Sequence, residues 1–371
     1  MSYTSRDKGL AFDPYDFATL TQSIRRPLET KYEGVSTVGQ QIAPLFPVQT
    51  REVSIEAREV AAFGAGQYRA PDATPPLVEF NAQISRAKME LVLLDEMRRI
   101  KEEDWLNLTS PDPRIKEAVV ASILEQGEML AIRNRRLTED LRWEAFSGEA
   151  VITYGKNTDA EAQYKVDYGI PSSNFVNATD GSGAPWDDYA NSTPIEDIKK
   201  WCKIQTKTVG YAGTKVHLSS EALDHLLQSE SLKDYLTGND RARWIVTLED
   251  VKALLPGVEF IIDDTGYREE LDGQNFDRSK SGMKRYLPVN KAMITTDYNI
   301  DGEAIADMPD GLVTVTTGYN STKNVQGEAA EVMLDQMAKT HYLRYASARI
   351  PRIHHPGAFV WATLGTFGSD F

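Results

Sequence analysis

The chain has 371 residues, 41% of them hydrophobic and 26% charged, a balance that supports folded lobes and argues against wholesale disorder. Its 55 acidic against 41 basic residues give a formal charge of −14, which disfavours a direct grip on nucleic-acid backbone or on anionic membranes. No apolar run is long enough to span a bilayer, the first twenty residues lack a signal-peptide layout, and the single cysteine excludes an internal disulfide framework. That cysteine, Cys202, fits a reducing cytoplasm and reads as a small buried side chain.

In chain order, residues 1–48 read as an arm. DFATLTQSI has the pattern of a short helix, and RRPLETKYEGVSTVGQQIAPLFP is turn-rich, so the arm is expected to order only on another surface. Two strand-like runs follow, flanking a long finger. Val53, Ile55 and Ala57 alternate with polar neighbours on one side, and Val78, Phe80, Ala82 and Ile84 on the other. Between them lies FGAGQYRAPDATPP, residues 63–76, a tip loosened by glycine and stiffened by proline. The apolar phase shifts at Met89, Leu91 and Leu93, which predicts a bulge or the hairpin's end near Arg86–Lys88. A two-stranded hairpin is marginal in isolation and needs another surface for its apolar face.

Asp112 and Pro113 form a helix start, and Gly148 a stop, for a predicted helix over 113–147. Ile115, Val119, Ile123, Leu130, Leu137 and Leu141 make its expected buried stripe. AVITYG and AQYKVDYGIP follow as strands, then a loop-rich stretch. From residue 195 to about 320 an α+β lobe is predicted: PIEDIKKWC as a helix, TKVHLS as a strand, SSEALDHLLQSESLKDYL as one or two helices, LEDVKALLPG as a helix and VEFIID as a strand. Ser231 and Asp234 are a candidate capping pair. In the tail, EAAEVMLDQMAKTHYL reads as helical and FVWATL as a closing strand.

Site chemistry is mostly missing. Neither GAG at 64–66 nor GTK at 213–215 has the spacing of a dinucleotide or phosphate loop. His354-His355 lacks the partners of a metal site and reads as a turn, while His217 and His225 read as surface or packing residues. Asp263-Asp264 and Glu269-Glu270 sit in turn-like segments, and Trp143, Trp186, Trp201 and Trp361 read as core or interface packing. No catalytic, cofactor or metal residue is predicted.

The order of parts, together with TKVHLSSEALDHLLQSESLKDYL, LPGVEFIIDDTGYREELDG followed by RYLPVNKAMI, and SARIPRIHHPGAFVWATL, resembles a phage major capsid protein of the HK97-type fold. The resemblance is to the lambda-like major capsid protein E family in particular and spans nearly the whole chain. It implies an α+β fold: N-terminal arm (1–48), extended hairpin or E-loop (49–94), peripheral domain with a spine helix (95–194), axial domain (195–325) and a C-terminal return (326–371). It implies self-assembly, as pentamers and hexamers, into an icosahedral head that encloses genomic DNA without reading its sequence. Portal and decoration proteins are implied as partners. Scaffolding is expected from a separate protein, because family members with a fused scaffold carry a longer extension. The virion is the implied location, after assembly in host cytoplasm. Phe63, Gly64, Gly66, Tyr68, Arg69 and Pro71, at the hairpin tip, become candidate inter-subunit contacts. The lysine and asparagine positions that some shells crosslink find no match, so no crosslinking is predicted. Two rivals remain: an encapsulin-like compartment shell, and, from another class, a cytoplasmic α+β hydrolase using acids such as Asp263 and Asp264.

Overall fold

The computed structural model describes residues 3–4, 11–12, 16–32, 37–58, 84–108, 110–154, 162–181, 183–237, 246–268, 283–296, 304–318, 321–335 and 340–367. Two short strands, β1 (Tyr3–Thr4) and β2 (Ala11–Phe12), pair antiparallel ahead of helix α1 (Phe17–Tyr32). α1 extends well beyond the short helix expected in the arm. It runs through Pro27, whose missing N–H costs roughly 3 kcal/mol in a helix interior. Leu20, Ile24 and Leu28, at four-residue spacing, are 0% exposed. Burial of such side chains is worth about 1.5–3 kcal/mol each, which outweighs the break.

Helix α2 (Val38–Ile42) and strand β3 (Leu45–Pro47) complete the arm. Strands β4 (Glu52–Arg58) and β5 (Ile84–Glu90) pair as the base of the hairpin, and β6 (Val92–Arg99) follows. β5 runs over 84–90 and the break before β6 falls at Leu91, whose N–H still bonds the Arg51 carbonyl, at 2.8 Å, just beyond the β4–β5 ladder. After α3 (Glu102–Asn107) comes α4 (Pro113–Phe146), 34 residues and about 51 Å long at 1.5 Å per residue. Asp112 starts α4 by accepting the Arg114 N–H at 2.9 Å, and Gly148, at φ +97°, turns the chain after its end.

The chain continues through β7 (Glu149–Tyr154), β8 (Ala162–Asp167), β9 (Phe175–Asn177), α5 (Pro194–Thr208) and β10 (Lys215–Leu218). Next come α6 (Ser220–Gln228), α7 (Glu230–Thr237), α8 (Leu248–Leu254), β11 (Glu259–Ile262), β12 (Gly266–Arg268), β13 (Met283–Arg285) and β14 (Lys291–Thr295). Ser219 caps α6 by accepting the Ala222 N–H at 3.0 Å. The expected Ser231–Asp234 cap of α7 does not form, because the Ser231 hydroxyl donates to the Ser192 carbonyl at 2.7 Å. The last elements are β15 (Ala306–Asp310), β16 (Leu312–Gly318), β17 (Ser321–Gln326), β18 (Ala329–Asp335), β19 (Thr340–Arg349), β20 (Arg352–Ile353) and β21 (Val360–Thr363).

The described residues of the tail segment EAAEVMLDQMAKTHYL, 328–335 and 340–343, are therefore extended, not helical. β18 and β19 pair antiparallel, Ala329 opposite Ala346 through Asp335 opposite Thr340. Ala329, Ala330 and Glu331 are all buried, so the strand lacks the alternation of a one-sided sheet. Its alanines and glutamates favour a helix locally, and packing on both faces overrides that preference.

The chain divides into two compact units. The first comprises residues 1–54, 88–142 and 307–352; the second comprises 55–87, 143–306 and 353–371. Residues 307–325, read as axial, fall in the first unit, and 143–194 and 353–371, read as peripheral, fall in the second.

In the first unit, β18, β19 and β15 form a sheet, with β6 added to β19 and β3 to β15. Helices α1 and α4 cover one face, burying Leu20, Ile24, Leu28, Val119, Ile123 and Leu130 against Ala330, Leu343 and Tyr345. The β16–β17 hairpin covers the other face, where Arg344 donates to the Thr314 carbonyl at 2.9 Å.

Val119, Ile123, Leu130 and Leu141 of α4 are buried, but Ile115 and Leu137, expected on the same stripe, are 41% and 45% exposed. At about 100° per residue, the buried face is centred on Gly127, Ala131, Asn134 and Thr138, roughly 80° round from the mean line of large apolar residues. Ile115 and Leu137 lie at that face's margin. The close contact is made by small and polar residues instead: Asn134 donates to the Leu94 carbonyl at 3.1 Å and accepts from Ser347 at 2.8 Å.

A Cβ on Gly127 would come within 2.4 Å of Ile24 Cδ1. Gly127→Ala should gain about 1 kcal/mol in helix propensity. It should lose about 1–3 kcal/mol to overpacking, since Ile24 is fully enclosed. A lowered thermal midpoint is the expected result; a raised one would show that α1 can step back.

In the second unit the sheet order is β11-β10-β14-β21-β9, with β10 and β11 parallel and β14 antiparallel to both β10 and β21. Trp186 and Trp201 stack at 5.8 Å, and Trp186 donates to Asp197 at 3.2 Å. Cys202 lies in this core, where burial pushes its thiol up to about 11. His217, in β10, is fully buried rather than at the surface.

Candidate assembly surfaces

The near ends of β4 and β5, up to Ser54 and from Lys88, belong to the first unit. Val53, Met89 and Leu91 are buried there, and Arg51 donates to Thr314 at 2.6 Å. Phe63, Gly64, Gly66, Tyr68, Arg69 and Pro71, the candidate contacts at the tip, lie outside the described residues.

Sequence reading missed the polar framework that ties the arm to the rest of the first unit. Glu328 is 4% exposed and sits among three arginines: Arg25 of α1 at 3.1 Å, Arg349 of β19 at 3.1 Å and Arg135 of α4 at 3.6 Å. The Tyr345 hydroxyl donates to it at 2.7 Å. Burial alone would raise this carboxyl, but the arginine charges and the Tyr345 hydrogen bond win and hold it at about 2. Arg349 also donates to Asp310 at 2.8 Å.

A second latch acts on α2. Glu139 of α4, 1% exposed, accepts the Gly39 N–H at 2.8 Å and the Thr37 hydroxyl at 2.9 Å. Arg142 balances that carboxylate at 2.9 Å, although its own burial lowers the guanidinium's pKa. A Cβ at Gly39 would stand 2.5 Å from Glu139 Oε1, so a larger residue there would push the carboxylate out of this latch. On the other sheet face Arg344 bridges Asp95 and Glu331, and Arg352 pairs with Asp307. The contacts Gly39–Glu139, Asp95–Arg344 and Asp307–Arg352 join residues far apart in sequence, so no local motif announces them.

A cleft of about 540 Å³ opens beside Glu328, lined by Phe17, Gln22, Arg25, Arg26, Val325 and Gln326 among others.

The acid pair offered for catalysis is engaged in local structure. Asp263 accepts the Thr265 N–H at 2.9 Å, and Asp264 accepts the Ser220 N–H at 2.9 Å and pairs with Arg285 at 3.2 Å. His355 is buried, and the N–H of His354 donates to the Ile305 carbonyl at 2.9 Å. Among the described residues no group of three His, Cys, Asp or Glu side chains could hold a metal ion, and no helix is long and apolar enough to cross a membrane.

Comparison with known proteins agrees with the fold. No curated protein matches the chain. A phage-related protein from Bordetella bronchiseptica RB50 is similar in structure, with a TM-score of 0.51 at 12% identity, covering 96% of this chain and 100% of that one. A protein assigned as the capsid protein of a prophage of E. coli CFT073 gives 0.54 at 14% identity, covering 94% and 99%. The family model for phage major capsid protein E matches residues 46–364. The chain belongs to the phage major capsid protein E family and is a shell-forming capsid subunit of the HK97-type fold.

Proposed function

We propose that this subunit builds the icosahedral head of a phage as pentamers and hexamers of itself, enclosing genomic DNA without reading its sequence. The observation that carries the proposal is the family match over residues 46–364. Portal, scaffolding and decoration proteins are its further partners, and the virion is its location after assembly in host cytoplasm. Its role is structural rather than enzymatic, a reading supported by the engagement of Asp263 and Asp264 in turn and cap bonds. The charge of −14 suits a wall that must not grip packaged DNA.

Within this reading the peripheral domain is built on α4 and the β18–β19 sheet, and the axial domain on the sheet of β10, β11 and β14. Residues 63–76 form the E-loop tip. Phe63, Tyr68 and Arg69 supply contacts to the adjacent subunit, Gly64 and Gly66 let the tip adjust to differently curved neighbours, and Pro71 limits the entropy lost on docking. Deleting Gly64 to Pro76 should leave a soluble, folded chain that forms no closed shells by negative-stain microscopy. Normal particles from the deletion would remove the tip from assembly.

A further inference from the structure

We propose that the solvent face of α5 is a contact for the phosphate backbone of double-stranded DNA. The inference rests on the shell-forming reading and places the enclosed DNA against one face of the second unit. Lys199, Lys200, Lys203 and Lys207 all stand exposed on α5. At about 100° per residue they fall within an arc of about 100°, opposite the buried Ile198, Trp201, Cys202 and Gln205. From Lys199 to Lys207 the stripe covers about 12 Å of helix, a length over which a DNA duplex carries about seven phosphates. Little of this charge is neutralised within the subunit. The acids of α5, Glu196 and Asp197, both lie in its first turn. Lys200 comes no nearer than 3.8 Å to Asp197, which is buried and accepts from Trp186, and Glu196 accepts the Tyr235 hydroxyl at 3.0 Å. Lys199 lies over the Tyr235 ring, 6.0 Å from its centre. Among the described residues no carboxylate pairs with Lys203 or Lys207.

Charge complementarity selects a polyanion, and the residue types select nucleic acid over an acidic protein segment. Carboxylates are held best by the planar fork of arginine, and α5 carries no arginine. The exposed residues of α5 are Glu196, Thr206 and the four lysines, all polar, so this face lacks the apolar anchor on which a protein interface centres. A row of lysines on a helix instead follows phosphates without reading base edges. The charge of −14 on the whole chain keeps such a contact weak and salt-sensitive, in agreement with a wall that touches DNA without gripping it.

The test uses full-length subunits, kept below the concentration at which they assemble, and a mixed-sequence double-stranded DNA fragment followed by fluorescence anisotropy. The logarithm of the binding constant should fall with the logarithm of salt concentration at a slope of about −3 to −4. Lys203→Gln and Lys207→Gln should each make that slope shallower by about 1. Replacing all four lysines by glutamine should lower affinity at low salt about tenfold or more. Lys252→Gln removes an exposed lysine of α8 that pairs with Glu249, and it should leave slope and affinity unchanged. Every variant should keep the thermal midpoint of the unaltered chain and form particles at the same concentration. Absence of DNA binding by the unaltered chain, stripe variants that bind as it does, or an equal effect of Lys252→Gln would overturn the contact. Stripe variants that keep their DNA affinity but no longer assemble would assign the face to an acidic segment of a second copy, and also overturn it. An unaltered chain that binds DNA through these lysines yet forms no particles at any concentration would contradict the shell reading and leave the contact standing.

Discussion

Glu328→Gln is expected to destabilise the first unit by about 3–5 kcal/mol, read as a lower urea midpoint. The change is nearly isosteric, so packing survives. What is lost is the one carboxylate shared by Arg25, Arg135 and Arg349, two of which come from separate helices and one from β19. Arg349 is itself almost fully buried and would keep only Asp310 as its partner. Arg25→Gln should cost far less, about 1 kcal/mol or below, because Arg25 is 38% exposed and water replaces it. Equal effects of the two changes would mean that the hub is a surface ion pair in energetic terms. The same carboxylate has a pH signature. Its folded value of about 2 lies below its ordinary 4.5, so its contribution is complete above pH 4.5 and is lost as pH falls towards 2.

The second unit should fail earlier on acidification, because of His217. Its Nε2 meets the Thr295 hydroxyl at 3.0 Å, its Nδ1 is buried without a partner among the described residues, and Trp143 stands edge-on at 6.4 Å. Burial, and then the charge of Lys215, lower its pKa from 6.5 to about 3. Between those values the unfolded chain binds a proton that the folded chain refuses, so stability is intact above pH 6.5 and declines as pH drops towards 3. At about 1.4 kcal/mol per unit the loss amounts to several kcal/mol. His217→Gln should flatten the profile between pH 6.5 and 4.5, a window in which Glu328 stays ionised. A profile equally steep in the variant would assign the acid sensitivity elsewhere.

What the sequence disclosed follows from the range of each interaction. The spine helix was legible because its signals are local: Asp112, Pro113 and Gly148 stand at its ends. Its buried face was less so, because Gly127, Asn134 and Thr138 carry little hydrophobic signal yet make the close contacts. The arm's helix was underestimated at Arg25-Arg26-Pro27, where a proline reads as a stop unless the burial of Leu20, Ile24 and Leu28 is known. The tail strands were misread for a related reason. A strand covered on both faces has no alternation, and its alanines and glutamates favour a helix. The Glu328 hub was invisible, since Arg25 and Glu328 lie 303 residues apart and neither belongs to a motif. Family membership was legible throughout, because it rests on the order of many weakly marked elements rather than on any one of them.

The central claim is that this chain closes into shells with copies of itself. The most direct measurement is negative-stain microscopy of the purified full-length protein at high concentration, with sedimentation velocity on the same sample. The account predicts closed shells, or rings and tubes of the same subunit, sedimenting far ahead of a 41.5 kDa monomer. A uniform population of small particles that never grows with concentration would contradict it.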